Sequence, residues 1–368
     1  MELNKRKEVV MTLDAGGTNF VFSAIKGGKE IVNPIAYPAN GHDLNLCLSS
    51  IVNGFKEVRS MLKEDPSAIS FAFPGPADYP NGVIGDLGNL PAFRGGIALG
   101  PMLEGVFEIP VFINNDGDLF AYGEAIAGML PEINNELESH NISKRYKNLL
   151  GITLGTGFGA GIVHNGELYL GDNSAGAEIW VTRNALEPSV FAEESISIRA
   201  VQRVYSEITG NIEDKKLTPK EIFDIALGYQ KGDALAASAS FERLGKTLGD
   251  VLANAITLLD CNVVIGGGLS NAYPLFAPSM MAQLNGKIST YNGQNINRLE
   301  VKAFNLESYE DSNAFYQNNP KMVKVPNVNM EVPYSWQKNV AVGRTRLGTS
   351  QAVAIGAYAF ALKAIGKL

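Results

Sequence analysis

Two cysteines and three histidines in 368 residues leave this chain little material for a metal centre or a disulfide framework. Cys47 and Cys261 stand far apart, in segments that read as an apolar helix and a strand edge, so buried free thiols are expected. Dense positive charge is equally scarce. Beyond Lys5-Arg6-Lys7 there is no basic run, and 31 basic against 38 acidic side chains leave a net charge of −7. Neutralising nucleic-acid phosphates takes clustered Lys and Arg, so no nucleic-acid partner is expected. No apolar stretch reaches the roughly 18 residues that a membrane-crossing helix needs. Val9–Leu13 is cut off by Asp14, too early for the core of a signal peptide. A protein of the reducing cytoplasm with no membrane partner is the expectation.

What is present is the composition of a globular protein, with 45% apolar and 19% charged residues. The length favours two domains. Two segments echo one another, one from Val10 to Glu30 and one from Leu150 to Tyr169. Each pairs an apolar strand, a Gly/Thr turn and a second apolar strand, followed by a tight turn at Gly27-Gly28 or Asn165-Gly166. Helix-like and strand-like segments then alternate. Helices are expected over Leu44–Leu62, Leu119–Ala127, Ile196–Ile208, Pro219–Leu227, Ala234–Leu259 and Ser350–Leu362. Buried strands are expected over Ala68–Phe73, Pro110–Ile113 and Val263–Ile265. Such alternation implies a largely parallel sheet covered on both faces. Glu132–Lys147 reads as a polar, helical insertion, and Leu306–Arg344 as an irregular one.

Several of these segments carry groups suited to chemistry. Asp14-Ala-Gly-Gly-Thr18 sets a carboxylate at a strand end before two glycines and a hydroxyl, a pattern that suits a phosphate or an ordinary hairpin. Gly155-Thr-Gly-Phe-Gly-Ala-Gly161 repeats it in the second half. Neither is a Walker loop, which needs Gly-Lys-Ser/Thr, nor a Rossmann fingerprint, which needs a helix where a hairpin follows. Asn114-Asn115-Asp116 ends a parallel strand, the edge where open α/β sheets place ligands. There Asp116 can accept a hydroxyl proton while Asn115 bonds a neighbouring hydroxyl. Helix capping is the plainer role, for which Asp118 is the better candidate. Pro74-Gly-Pro76 and Gly88-Asn-Leu-Pro91 read as rigid loops at the same sheet end, with Asn89 the residue expected to touch a ligand. Glu178 and Glu193 are either sugar-hydroxyl contacts or surface charge. Gly266-Gly267-Gly268 either admits a nucleoside or marks a close crossing of elements.

Taken together, these segments resemble the ROK family (repressors, open reading frames, kinases) within the sugar kinase, actin and heat-shock chaperone ATPase superfamily. The resemblance runs from Asp14 to the final helix. It implies an α/β, two-lobed actin-like ATPase (ribonuclease H-like) fold of duplicated mixed sheets flanked by helices. The N-terminal lobe would be 1–128, the C-terminal lobe 129–349, and a C-terminal helix in 350–368 would pack back on the first lobe. By the same match Asp14, Gly16, Gly17, Thr18 and Asn19 form one phosphate loop and Gly155, Thr156 and Gly157 the other. Gly266, Gly267 and Gly268 fall at the adenosine motif. Asp116 is the implied catalytic base, and Asn89, Asn115, Glu178 and Glu193 are the implied sugar contacts. The implied activity is phosphorylation of a sugar hydroxyl, of the glucokinase, hexokinase or N-acetylhexosamine kinase type. ATP and Mg²⁺ are the implied cofactors, with the ion near Asp14, and a homodimer is the assembly to test.

One departure from the family pattern stands out. Typical members follow the first glutamate with an apolar residue, Gly-His and a cysteine-rich zinc loop. Here Glu178 is followed by Ile179-Trp180-Val181, and no cysteine lies between Gly151 and Gln202. No zinc is therefore expected, and Val181–Phe191 should be held by packing through Trp180, Leu186 and Phe191. A non-catalytic sugar-binding or sensing member of the family is the alternative. The family's repressors carry a helix-turn-helix domain before the kinase-like body, for which Asp14 arrives too soon.

Overall fold

The computed structural model describes residues 3–88, 90–317, 320–334 and 338–368. They form two compact units, Met1–Gly128 with Gly161–Ala177 and Arg346–Leu368, and Met129–Ala160 with Glu178–Thr345. Where the sequence suggests one lobe over 129–349, the segment Gly161–Ala177 groups with the first unit.

The first unit is built on β1 (Val9–Ala15), β2 (Asn19–Lys26), β3 (Lys29–Glu30), β4 (Ile35–Pro38), β5 (Ala68–Ala72) and β6 (Val111–Asn114). The sheet runs β3–β2–β1–β5–β6, with β4 on the far part of β2. β1 and β2 are antiparallel, whereas β1, β5 and β6 are parallel. Val9 to Leu13 and all of β5 are buried, as expected of strands covered on both faces. Helix α1 (Leu44–Met61) starts at Asp43, whose carboxylate accepts from the Leu46 N–H at 3.0 Å. It buries Cys47, Ile51, Phe55 and Val58 at helical spacing. Phe55 meets Phe22 edge to face at 5.1 Å, and Phe73 meets Phe93 at 5.5 Å, which ties the loop after Leu87 to the end of β5. Helix α2 (Leu99–Phe107) precedes β6.

Because β1, β5 and β6 are parallel, their carboxyl ends share one edge, where Asp14 and Asn114–Asp116 emerge. Helix α3 begins there. It spans Asp116–Ala127, three residues earlier than the apolar pattern suggests, because Asn115 rather than Asp118 is the cap. The Asn115 Oδ1 accepts from the Gly117 N–H at 2.8 Å, while Asp118 is buried inside the first turn.

The helix after β6 is locked in place along its length. The final helix, Thr349–Ala364, crosses it through two glycines. A Cβ on Gly123 would lie 1.9 Å from the Ala352 carbonyl oxygen, and one on Gly356 would lie 1.9 Å from that of Leu119. Only bare Cα atoms allow so close a crossing. Glu124, fully buried, accepts from the N–H groups of Arg346 at 3.0 Å and Leu347 at 3.1 Å.

In the second unit, β7 (Leu149–Leu154) turns into β8 (Phe158–His164), which passes at Gly161 into the segment that belongs to the first unit and pairs there with β9 (Glu167–Tyr169) about Asn165-Gly166. Asn165 and Gly166 have φ of 52° and 80°, the left-handed pair that a tight hairpin demands. The strands β10 (Asn262–Gly266), β11 (Lys302–Asn305) and β12 (Asn339–Arg344) complete a parallel run, β7–β10–β12–β11. This corrects the reading of 306–344 as irregular. Tyr309–Tyr316 is helical, Lys321–Lys324 pairs with Glu331–Tyr334, and Asn339–Arg344 is an inner strand. Val340, Ala341 and Val342 are buried between two neighbours, so the strand shows no alternation to betray it. Met129–Ser139 is the helix α4, and 140–147 is not helical. The remaining helices of this unit are α5 (Ile198–Thr209), α6 (Pro219–Ala226), α7 (Ala234–Leu259), α8 (Tyr273–Leu284) and α9, the Tyr309–Tyr316 segment just named; α10 is the final helix.

Candidate active site

In the first unit the β1–β2 turn carries Asp14 and Thr18, both exposed. Its glycines divide the work. A side chain on Gly16 would strike the Asn19 carbonyl oxygen at 2.8 Å, so Gly16 lets the turn close. A side chain on Gly17 would meet nothing within 4 Å, so there the backbone lies open to an approaching group. Asn115 stands beside Asp116 and, besides capping α3, directs its Nδ2 to the Tyr79 hydroxyl at 3.4 Å. That hydroxyl donates to the Phe73 carbonyl at 3.0 Å, joining the ends of β5 and β6. Asn89 lies outside the described residues; its neighbours Leu87, Leu90 and Phe93 are buried.

Asp116 is reached by solvent, yet the protein gathered round it withholds hydration and lifts its pKa above the ordinary carboxylate value. The Gly117 N–H, donating at 2.9 Å, and its own N–H pull the other way, while the Asp14 carboxylate adds to the rise. Such a group accepts a proton more readily than a free carboxylate does, which suits a general base.

In the second unit the β7–β8 turn holds Gly155, Thr156 and Gly157. Gly155 is open, with nothing within 4 Å of an added Cβ, whereas one on Gly157 would sit 2.9 Å from Glu193 Oε2. Glu193 is thus seated on the turn: its Oε2 accepts from the Phe158 N–H at 2.8 Å. Its Oε1 accepts from Arg199 Nη2 at 2.8 Å, and Arg199 also binds Glu194 at 2.6 Å and the Thr156 carbonyl at 3.2 Å. Burial opposes the Arg199 charge, but the hydrogen bonds to Glu193 and Glu194 outweigh it and raise its pKa. Further along, Gly266 ends β10 against Thr153. Gly267, with φ of 84°, passes so close to β7 that a Cβ would lie 2.2 Å from the Leu154 carbonyl oxygen. Gly268 is open. The close-crossing reading of this motif therefore holds at Gly267, and the face available to a nucleoside is at Gly268. Gly17 in the first unit, and Gly155 and Gly268 in the second, each leave backbone that a phosphate or a nucleoside can approach without Cβ interference.

Glu178 is exposed and accepts the indole N–H of Trp180, whose ring meets Phe191 edge to face at 5.6 Å. Of the apolar anchors expected for the segment after it, Trp180 and Phe191 pack on one another, but Leu186 does not hold it. Leu186 is 49% exposed and Trp180 37%. The pin is polar: Asn184, fully buried, accepts from the Leu186 and Glu187 N–H groups at 3.0 Å each and donates to Ser195 Oγ at 2.8 Å. Among the described residues no group of three or more His, Cys, Asp or Glu is arranged to hold a metal ion. Asn184, Arg199 and Tyr79 are the participants that the sequence did not single out. Only the place of Arg199 on the first turn of an expected helix just after Glu193-Glu194 could have pointed to it.

A family model described as the ROK family matches residues 10–314. An N-acetyl-D-glucosamine kinase of Vibrio atlanticus (strain LGP32) is 28% identical over 276 residues, 70% of this chain and 83% of that protein. A glucokinase of Halalkalibacterium halodurans is 28% identical over 283 residues, 71% of this chain and 80% of its own length. Among solved structures, a glucokinase from Parabacteroides distasonis ATCC 8503 is similar at a TM-score of 0.90 and 51% identity, over 99% of each chain. A ROK family glucokinase from Streptomyces griseus, solved with glucose and AMPPNP, has a TM-score of 0.61 at 17% identity, over 95% of this chain and 98% of that one. The fold is the actin-like ATPase fold of these neighbours.

Proposed function

The chain belongs to the ROK family, and from that premise we propose that it is an ATP-dependent sugar kinase with Asp116 as its base. The observation that carries the proposal is the carboxylate of Asp116, at the end of a parallel strand, reached by solvent and raised in pKa. Asp116 takes the proton of the acceptor hydroxyl as its oxygen attacks phosphorus, and Asn115 orients the sugar beside it. Asn89, Glu178 and Glu193 are the further sugar contacts in this reading. ATP, when bound with Mg²⁺, supplies the phosphoryl group and a charge partner for its oxygens. Asp14 is the carboxylate at hand for the ion, Gly16–Asn19 and Gly155–Gly157 are the turns for the phosphates, and Gly266–Gly268 are the residues for adenosine. The raised pKa of Asp116 gives the abstracted proton a place to rest while the phosphoryl group transfers.

Glucose is the first substrate to test, because the 51% identical structural relative is described as a glucokinase; N-acetylglucosamine is the second. Among the described residues no helix is long and apolar enough to cross a membrane. Work in the cytoplasm, where ATP is supplied and the buried thiols of Cys47 and Cys261 stay reduced, completes the reading. A coupled assay of ADP release with MgATP over glucose, N-acetylglucosamine, mannose and fructose tests it. Sugar-dependent ADP release, greatest with glucose, is expected. Sugar binding without ADP release from any of them would favour the non-catalytic alternative.

A further inference from the structure

Arg199 has a place that the proposed reaction leaves unassigned. Its guanidinium bridges Glu193 Oε1 at 2.8 Å and Glu194 Oε1 at 2.6 Å, and also donates from Nη1 to the Thr156 carbonyl at 3.2 Å. One residue earlier, the Ile198 N–H donates to the Gly155 carbonyl at 2.9 Å. Two successive carbonyls of the β7–β8 turn are therefore drawn toward the start of α5. A trans peptide is planar and sets its C=O and N–H on opposite sides. Turning the Gly155 carbonyl to Ile198 sends the Thr156 N–H the other way, and turning the Thr156 carbonyl to Arg199 does the same for the Gly157 N–H. Successive N–H groups aimed to one side form an anion-binding nest. The third N–H of the turn, that of Phe158, is held at 2.8 Å by Glu193, which the same guanidinium fixes from behind.

We infer that Arg199 is a positioning residue: it sets the peptide planes of the Gly155–Gly157 turn so that backbone N–H groups face the phosphates of a nucleotide. The inference rests on the reading that this turn holds ATP. Ile198 contributes a backbone bond that most substitutions keep, as does the Gly155 N–H, which donates to the Gly157 carbonyl at 3.0 Å, so the bond to the Thr156 carbonyl that a substitution can remove is that of the Arg199 side chain. The interaction is charge-assisted and geometrically forked, and a lysine, with one point of charge, reproduces only part of it. Glu193 and Glu194 neutralise the guanidinium, so its contribution to an anionic ligand is orientation rather than bare charge.

The test is AMPPNP and glucose binding by calorimetry on the full chain, with thermal melting alongside, for Arg199→Met, Arg199→Lys and Gly155→Val. Methionine keeps the stem and removes every donor. Arg199→Met should weaken AMPPNP by about tenfold or more, the effect of losing a charge-assisted hydrogen bond, with Arg199→Lys in between. Glucose affinity should move by less, because Glu193 keeps its bond from the Phe158 N–H when the guanidinium is gone, and the melting temperature should stay near wild type because the side chain is partly exposed. Wild-type AMPPNP affinity in Arg199→Met, with Gly155→Val impaired, would overturn the role of Arg199 and leave the turn reading intact. Equal losses for both ligands together with a lowered melting temperature would also overturn it, since a merely structural residue behaves that way. Intact AMPPNP binding in Gly155→Val would instead remove the turn from the nucleotide site, and the inference with it.

Discussion

At the scale of residues, one carboxylate is set apart from the rest by its surroundings. Burial by surrounding protein raises the pKa of Asp116, and the nearby charge of Asp14 raises it further. The acidic limb of the kcat/KM profile should therefore fall above the ordinary carboxylate value of about 4. Removing a like charge lowers a carboxylate pKa, so Asp14→Asn should move that limb to lower pH, whatever it does to the maximum rate. An acid limb that stays put in Asp14→Asn would show that another group sets it. The place of Asp116 at the end of a strand was legible because a strand, a polar triplet and a helix follow one another in sequence. The cap was not: Asn115, not Asp118, closes the helix, because the helix starts as soon as the strand ends. Asn184 and Arg199 were hidden for a different reason. Their partners, Ser195 for one and Thr156 for the other, come from other segments of the chain, and no local spacing announces them.

At the scale of elements, the precision of the site depends on α3, which carries Asp116 on its first turn. Its crossing with α10 is set by Gly123 and Gly356, each too close to a facing carbonyl to accept a Cβ. Gly356→Ala should push α3 away at Leu119, with an overpacking cost of about 1–3 kcal/mol in urea unfolding. Because the displaced helix carries the proposed base, kcat should fall more than either KM. Unchanged unfolding and unchanged kcat would mean that the crossing yields without moving α3. The long helices and the two glycine turns were visible in sequence from their apolar spacing and their echo. The strands β11 and β12 were not. β11 is short, with Ala303 and Phe304 buried side by side, and β12 is buried without period-two alternation, so only their neighbours in the sheet define them.

At the scale of the whole molecule, the family pattern and its missing zinc loop meet in one chain. The segment where relatives of the family place thiolate ligands is pinned here by the fully buried Asn184. A closed zinc site needs four ligands, usually thiolates and imidazoles. Elemental analysis of the purified, untagged protein should find far less than one equivalent of zinc; roughly one tightly held zinc per chain would contradict this.

The proposed role of Asp116 as the base of a sugar kinase is checked by the turnover of Asp116→Asn with ATP and the best sugar of the panel. Asparagine keeps the shape but cannot take the proton, so kcat should fall by roughly 10²–10⁴. Sugar and AMPPNP binding should persist. The folded protein holds this carboxyl at a raised pKa, so its contribution to stability declines as pH rises through that value. The uncharged variant should thus melt at pH 7 no lower than wild type, which separates lost chemistry from lost folding. Turnover near wild type in Asp116→Asn would contradict the account.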